Sequence, residues 1–211
     1  MTTIEHALVG MHGALLLGVN SRAGWAGIAL ATIASILPDW DGLVLLVSVE
    51  QFDAGHRVWG HNLLVIAFTS AIVAFTQYRF HWIERFARRC SRVLPSEAQS
   101  RINTPPVAMS FLMLFILCAV CQMVHLVCDM VVSGGHGLSH WEVLPFWPFS
   151  DIGFVFPMIP WGAVGPTVIL MLGAIALAKY PARPKFISGA TLLLLSAYLI
   201  TRGLLRGTLM G

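Results

Sequence analysis

Charge is scarce in this sequence. Asp, Glu, Lys and Arg make up 11% of it, against 57% hydrophobic residues and a mean hydropathy of +0.77. A soluble domain keeps about a quarter of its residues charged, so water is not the main solvent of this surface. For a chain of 211 residues the useful unit becomes the spanning helix of about 20 apolar residues. A net charge of +3, with the arginines gathered in one loop, excludes a nucleic-acid-binding stripe. The opening stretch MTTIEHALVG lacks the basic n-region of a secretory signal, so the first apolar segment is expected to stay. Cysteines number only four, and Cys118, Cys121 and Cys128 share one apolar run. Cys118 and Cys121 form a CxxC without a second pair or a βαβ context, so packing is their expected role in preference to redox or zinc chemistry. No repeat of fixed period is present, although the paired short segments leave inverted symmetry open.

Long apolar runs dominate what is present. They lie near 3 to 19, 23 to 37, 62 to 77, 107 to 131, 163 to 178 and 186 to 201, with a shorter run near 43 to 50. The expected fold is all-α, a polytopic membrane bundle of about five or six segments, some short or re-entrant, forming one integral membrane domain over residues 1–211. Arg79, Arg85, Arg88, Arg89, Arg92 and Arg101 fall in one connection, 78–106, which the positive-inside rule makes cytoplasmic. Arg22, Lys179, Arg183 and Lys185 fall on the same side, and Arg202 and Arg206 are exceptions. The opposite connection, 132–162, is rich in Gly, Pro and Trp and is expected to be an ordered outer loop, a lid in the making.

Ionisable residues beside membrane segments persist mostly where they pair, face water or serve function. LPDWDG carries Asp39 and Asp41, hard oxygen donors that suit a divalent cation or simply end a helix. GHRVWGH carries His56 and His61 with Arg57 beside the first; the imidazoles suit zinc, or sit at the interface as snorkelling polar groups. HLVCD sets His125 and Asp129 four apart on one helix face, as a metal-binding pair or a hydrogen-bonded one. His6 stands at the same outer end, whereas His12 points elsewhere and His81 belongs to the basic loop. His136, His140 and Glu142 are weaker candidates in the outer loop. Together, His6, Asp39, Asp41, His56, His61, His125 and Asp129 are enough for one or two metal ions.

These pieces, in this order, resemble the YdjM-like family of inner-membrane-associated metal-dependent hydrolases. The family pattern runs from an N-terminal histidine through LPDxD and HRGxTHS to HxxxD, then a Gly- and Pro-containing loop with a tryptophan-proline pair. The chain shows His6, LPDWD at 37 to 41, HRVWGHN at 56 to 62, HLVCD at 125 to 129 and LPFWPFS at 144 to 150. Val58, Gly60 and Asn62 stand where the family has glycine, threonine and serine. The histidine spacing is kept, and the departures touch hydroxyl groups that would meet a substrate. In its ligand set the pattern is similar to zinc-dependent phospholipase C, an analogy only.

The resemblance and the residues together imply a hydrolase of a phosphoester or lipid-linked substrate that uses a metal-activated water, with Arg57 steadying oxyanion charge and Asp41 serving catalysis. Zinc is favoured by the histidines, and the carboxylates admit manganese or magnesium. The expected location is a bacterial inner membrane with the site on its non-cytoplasmic face, and the bilayer is the expected partner. The alternative is a metal-binding carrier or structural membrane protein without turnover.

Overall fold

The structure, a computed structural model, describes residues 1–91, 109–134 and 140–207. It is helical throughout: α1 (Thr3–Leu16), α2 (Val19–Ala34), a 3-10 helix (Leu37–Leu46), α3 (Val49–Gly55), α4 (Leu63–Phe80), α5 (Trp82–Cys90), α6 (Phe111–Val131), α7 (Val164–Lys179) and α8 (Pro184–Leu205). No strand occurs among the described residues. Two isolated bridges, Val132 with Ile159 and Val143 with Phe154, tie the outer loop together.

Helices α4, α6 and α8 are long and apolar enough to cross a membrane, and α2 with the 3-10 helix makes a fourth span if the pair, bent by 48°, is one crossing. This is the polytopic helical bundle expected, with α1 and α7 as the short members. The run around Leu43 belongs to the 3-10 helix. Pro38 opens that helix, and Ile36 accepts from the Asp39 amide at 3.2 Å in the tighter winding. Part of the connection drawn as a basic loop is helical. Trp82, Ile83 and Phe86 give α5 an apolar side, and Ile83 is buried. Arg92 and Arg101 lie outside the described residues.

Short α1 packs against α2, α6, α7 and α8. That central position lets it carry Glu5, His6 and His12 without turning them toward lipid. Thr2 and Glu5 form a reciprocal capping box at its start. Gly10 permits the close approach to α2: a Cβ there would stand 2.7 Å from the Ser35 Cβ and 3.0 Å from the Ala31 carbonyl oxygen. The apolar core of α2 and α6 is built from Leu30, Ala31, Ala34, Cys118 and Cys121, so the cysteines pack as expected, and all are free thiols. Buried Gln122 clasps α6 to α4, donating to Ser70 Oγ at 2.8 Å while accepting from Thr69 Oγ1 at 2.8 Å.

His61 precedes the start of α4 and Arg79 lies near its end; the basic α5 follows Arg79, and His125 and Asp129 close α6. His61, His125 and Asp129 therefore share one end of the bundle and Arg79, with the basic α5, the other, about 27 Å away along α4.

Candidate metal centre

His6 from α1, Asp39 from the 3-10 helix, and His125 and Asp129 from α6 each offer a ligand atom, all within 4.8 Å of one another. The i, i+4 spacing aligns His125 and Asp129 on one face of α6, and His125 Nε2 lies 3.3 Å from Asp129 Oδ2 and 3.4 Å from Asp39 Oδ1. His6 Nε2 lies 3.0 Å from Asp129 Oδ1, and its ring stacks on that of His125 at 3.5 Å. The Met1 amino group contacts the same Asp129 oxygen.

His61 joins this group from the loop before α4. Its Nε2 is 3.0 Å from His125 Nε2, 3.1 Å from Asp129 Oδ2 and 3.9 Å from Asp39 Oδ1.

The far sides of two imidazoles decide what faces inward. His125 Nδ1 is 2.7 Å from the Ser35 carbonyl oxygen, which can only accept, so Nδ1 carries the proton. His61 Nδ1 is 3.0 Å from Asp41 Oδ2, another acceptor. With both ring protons committed outward, the two Nε2 lone pairs converge with the Asp39 and Asp129 carboxylates. This set of donors is of a composition that could hold a divalent metal, and carboxylate or carbonyl partners behind ligating histidines are the usual support.

Asp41 is therefore placed behind His61 and outside the four-residue group. One of its carboxylate oxygens accepts from the Arg57 and Gly60 amides, both at 3.2 Å, and the other is 3.4 Å from His56 Nδ1. His56 likewise stands outside that group, part-exposed, with Trp141 edge-on to its ring at 5.2 Å. Arg57 is wholly buried. Its guanidinium donates to the carbonyls of Asp129 (2.8 Å), Val132 (3.0 Å) and Trp141 (3.2 Å) and to Ser133 Oγ (3.2 Å), and NH2 is 3.5 Å from Asp129 Oδ1. A side chain so committed pins the outer loop to the end of α6. Its own backbone sits at φ 62°, in the left-handed region.

Among the weaker candidates, His140 and Glu142 are exposed, and His136 lies outside the described residues. His12 is buried between α7 and α8, 3.2 Å from Ser188 Oγ, and His81 ends α4 away from the site. Three contributors were not anticipated. Ser35 acts through its backbone carbonyl, which no sequence pattern marks. Buried Glu5 accepts from Thr167 Oγ1 at 2.6 Å, and its signal was the Thr2 to Glu5 capping-box spacing. Trp141 lies over the Arg57 guanidinium at 5.7 Å, and only its place in an aromatic-rich outer loop hinted at it.

A cavity of about 720 Å³ opens beside the cluster, lined by Asp39, Asp129 and His56 and by Leu45, Val49 and Phe52. Trp141 and Trp161 line it from the outer loop.

Fold and site together define a class: an integral membrane helical protein with a buried His/Asp cluster at one end of its bundle, of a composition that could hold a metal. Within that class the chain belongs to the YdjM inner membrane protein family, whose profile matches residues 1–208. No curated protein and no solved structure matches it.

Proposed function

We propose that the protein is a membrane-bound metal-dependent hydrolase acting on a phosphoester or lipid-linked substrate. The observation that carries this reading is the convergence of His125 Nε2, His61 Nε2 and the Asp39 and Asp129 carboxylates, with His6 beside them, next to a ligand-sized cavity that Asp39 and Asp129 line. Those five residues would hold the ion, zinc first by the histidine content, with manganese or magnesium admitted by the carboxylates. A divalent ion, when bound, supplies Lewis acidity, polarising an ester oxygen and acidifying water.

The remaining work falls to the chain's own groups. Asp41 fixes the tautomer of His61, and Ser35 fixes that of His125. His56 lines the cavity with Nδ1 turned toward Asp41, a position from which an imidazole exchanges protons with a bound substrate. Arg57 holds the loop carrying Trp141 against α6 and so shields the cavity from bulk water. The positive-inside rule, applied to Arg79, Arg85, Arg88 and Arg89, favours a site on the non-cytoplasmic side.

A metal-binding carrier or structural membrane protein without turnover is the alternative reading of the same cluster. Elemental analysis of the detergent-purified protein beside Asp39→Ala and His125→Ala, paired with a phosphoester hydrolysis assay, tests the proposal. Stoichiometric metal in the wild type, lost in both variants together with cleavage, is expected. Metal binding with no cleavage of any phosphoester would leave only the carrier or structural reading.

A further inference from the structure

The cavity lining combines two chemistries: Asp39, Asp129, His56 and Glu50 supply polar groups, and Leu45, Val49 and Phe52 supply apolar wall, Phe52 stacking on the His56 ring at 4.6 Å. The same stretch of chain faces outward as well. Leu43 is 65% exposed, Leu46 85% and Val47 80%, so the 3-10 helix and the start of α3 present one apolar surface to the bilayer and another to the cavity. A break of 48° separates this stretch from α2. Trp161, part-exposed, and Trp141 border the cavity on the loop side, where interfacial aromatics belong.

The geometry points to a hydrocarbon-chain subsite formed by Leu45, Val49, Phe52 and Trp161, which receives the tail of a membrane lipid while its polar head meets Asp39, Asp129 and His56. The identification of the head as the part cleaved rests on the hydrolase reading above; the seat for the tail rests on the cavity lining alone. A soluble phosphoester would have no use for apolar walls that continue into a lipid-facing surface. The tail enters sideways from the bilayer past Leu45 and Val49, without first crossing water. Substrate selection is thus made by the chain as well as by the head.

The test uses the full-length protein in phosphatidylcholine vesicles, loaded with zinc, and a phosphatidic acid bearing a diazirine midway along one acyl chain. After irradiation, labelled residues are located by peptide mass spectrometry. Label is expected on the segment carrying Leu45, Val49 and Phe52, and on Trp161. Excess unlabelled phosphatidic acid should suppress it, and aqueous glycerol phosphate should not. Leu45→Trp and Val49→Trp, which fill the apolar part of the lining, should cut that labelling about tenfold with zinc content unchanged. Leu46→Trp, outside the lining, should leave it intact.

Label scattered over outward-facing residues such as Leu172 and Leu194, equal suppression by glycerol phosphate, or full labelling in Leu45→Trp with its zinc retained would each overturn the subsite. Zinc-dependent cleavage of soluble phosphoesters would survive any of those results. Conversely, cavity labelling without cleavage of any phosphoester would uphold the subsite and remove the hydrolase.

Discussion

His125 Nδ1 donates to the backbone carbonyl of Ser35 across 2.7 Å, joining α6 to the end of α2. Because the acceptor is main chain, the side chain of Ser35 is dispensable, and the position of α2 is what counts. Ser35→Ala should keep full metal stoichiometry. Gly10→Ala should not, since its new methyl would meet the Ser35 side chain and push α2 away. An affinity loss of about tenfold or more is expected in competition with a chromogenic chelator. Equal affinity in both variants would show that this bond does not aim the imidazole.

Asp41 supports His61 in the same manner with a carboxylate in place of a carbonyl. Asp41→Asn should weaken metal binding by about 10- to 100-fold, the usual cost of losing such a partner, while stoichiometry at saturating metal stays that of the wild type. Asp39→Asn should abolish binding at the same metal concentration, because Asp39 Oδ1 faces the cluster directly, 3.4 Å from His125 Nε2. Identical titrations for the two aspartate variants would sink the division of roles.

That division was beyond the sequence, in which Asp39 and Asp41 are one motif. Two residues apart in a helix of three residues per turn, they point about 120° away from each other, and nothing in LPDWD announces the 3-10 winding. The membrane class, the apolar segments and the gathering of His6, Asp39, His61, His125 and Asp129 were legible, because hydropathy and the cost of buried ionisable groups act on composition directly. Tertiary placement was not. Ser35 contributes a main-chain atom, and the sequence marks Arg57 as an anion-binding group, whereas its donors serve the carbonyls of Asp129, Val132 and Trp141.

Arg57→Lys separates those two roles for the arginine. A lysine keeps the charge but cannot serve several carbonyls in one plane. Leaving those buried acceptors short of partners should cost about 3 kcal/mol, visible as a lower midpoint of thermal unfolding in detergent. Near-normal unfolding with abolished turnover would instead restore the oxyanion role to Arg57.

Gln122 supplies the control that ties these effects to the site and not to general loosening of the bundle. It lies one turn before His125 on α6 and bridges Ser70 and Thr69 on α4, with no bond to any cluster residue. Interhelical hydrogen bonds of this kind contribute about 0.6 to 2 kcal/mol in membranes. Gln122→Leu preserves much of the side chain's volume and removes the clasp, so denaturant unfolding should register a loss within that range while metal affinity stays within about twofold of wild type. If Gln122→Leu instead loses metal as Asp41→Asn does, then the cluster is held by the packing of α4 on α6 as a whole. The separate supports behind His61 and His125 would then count for less than their geometry implies.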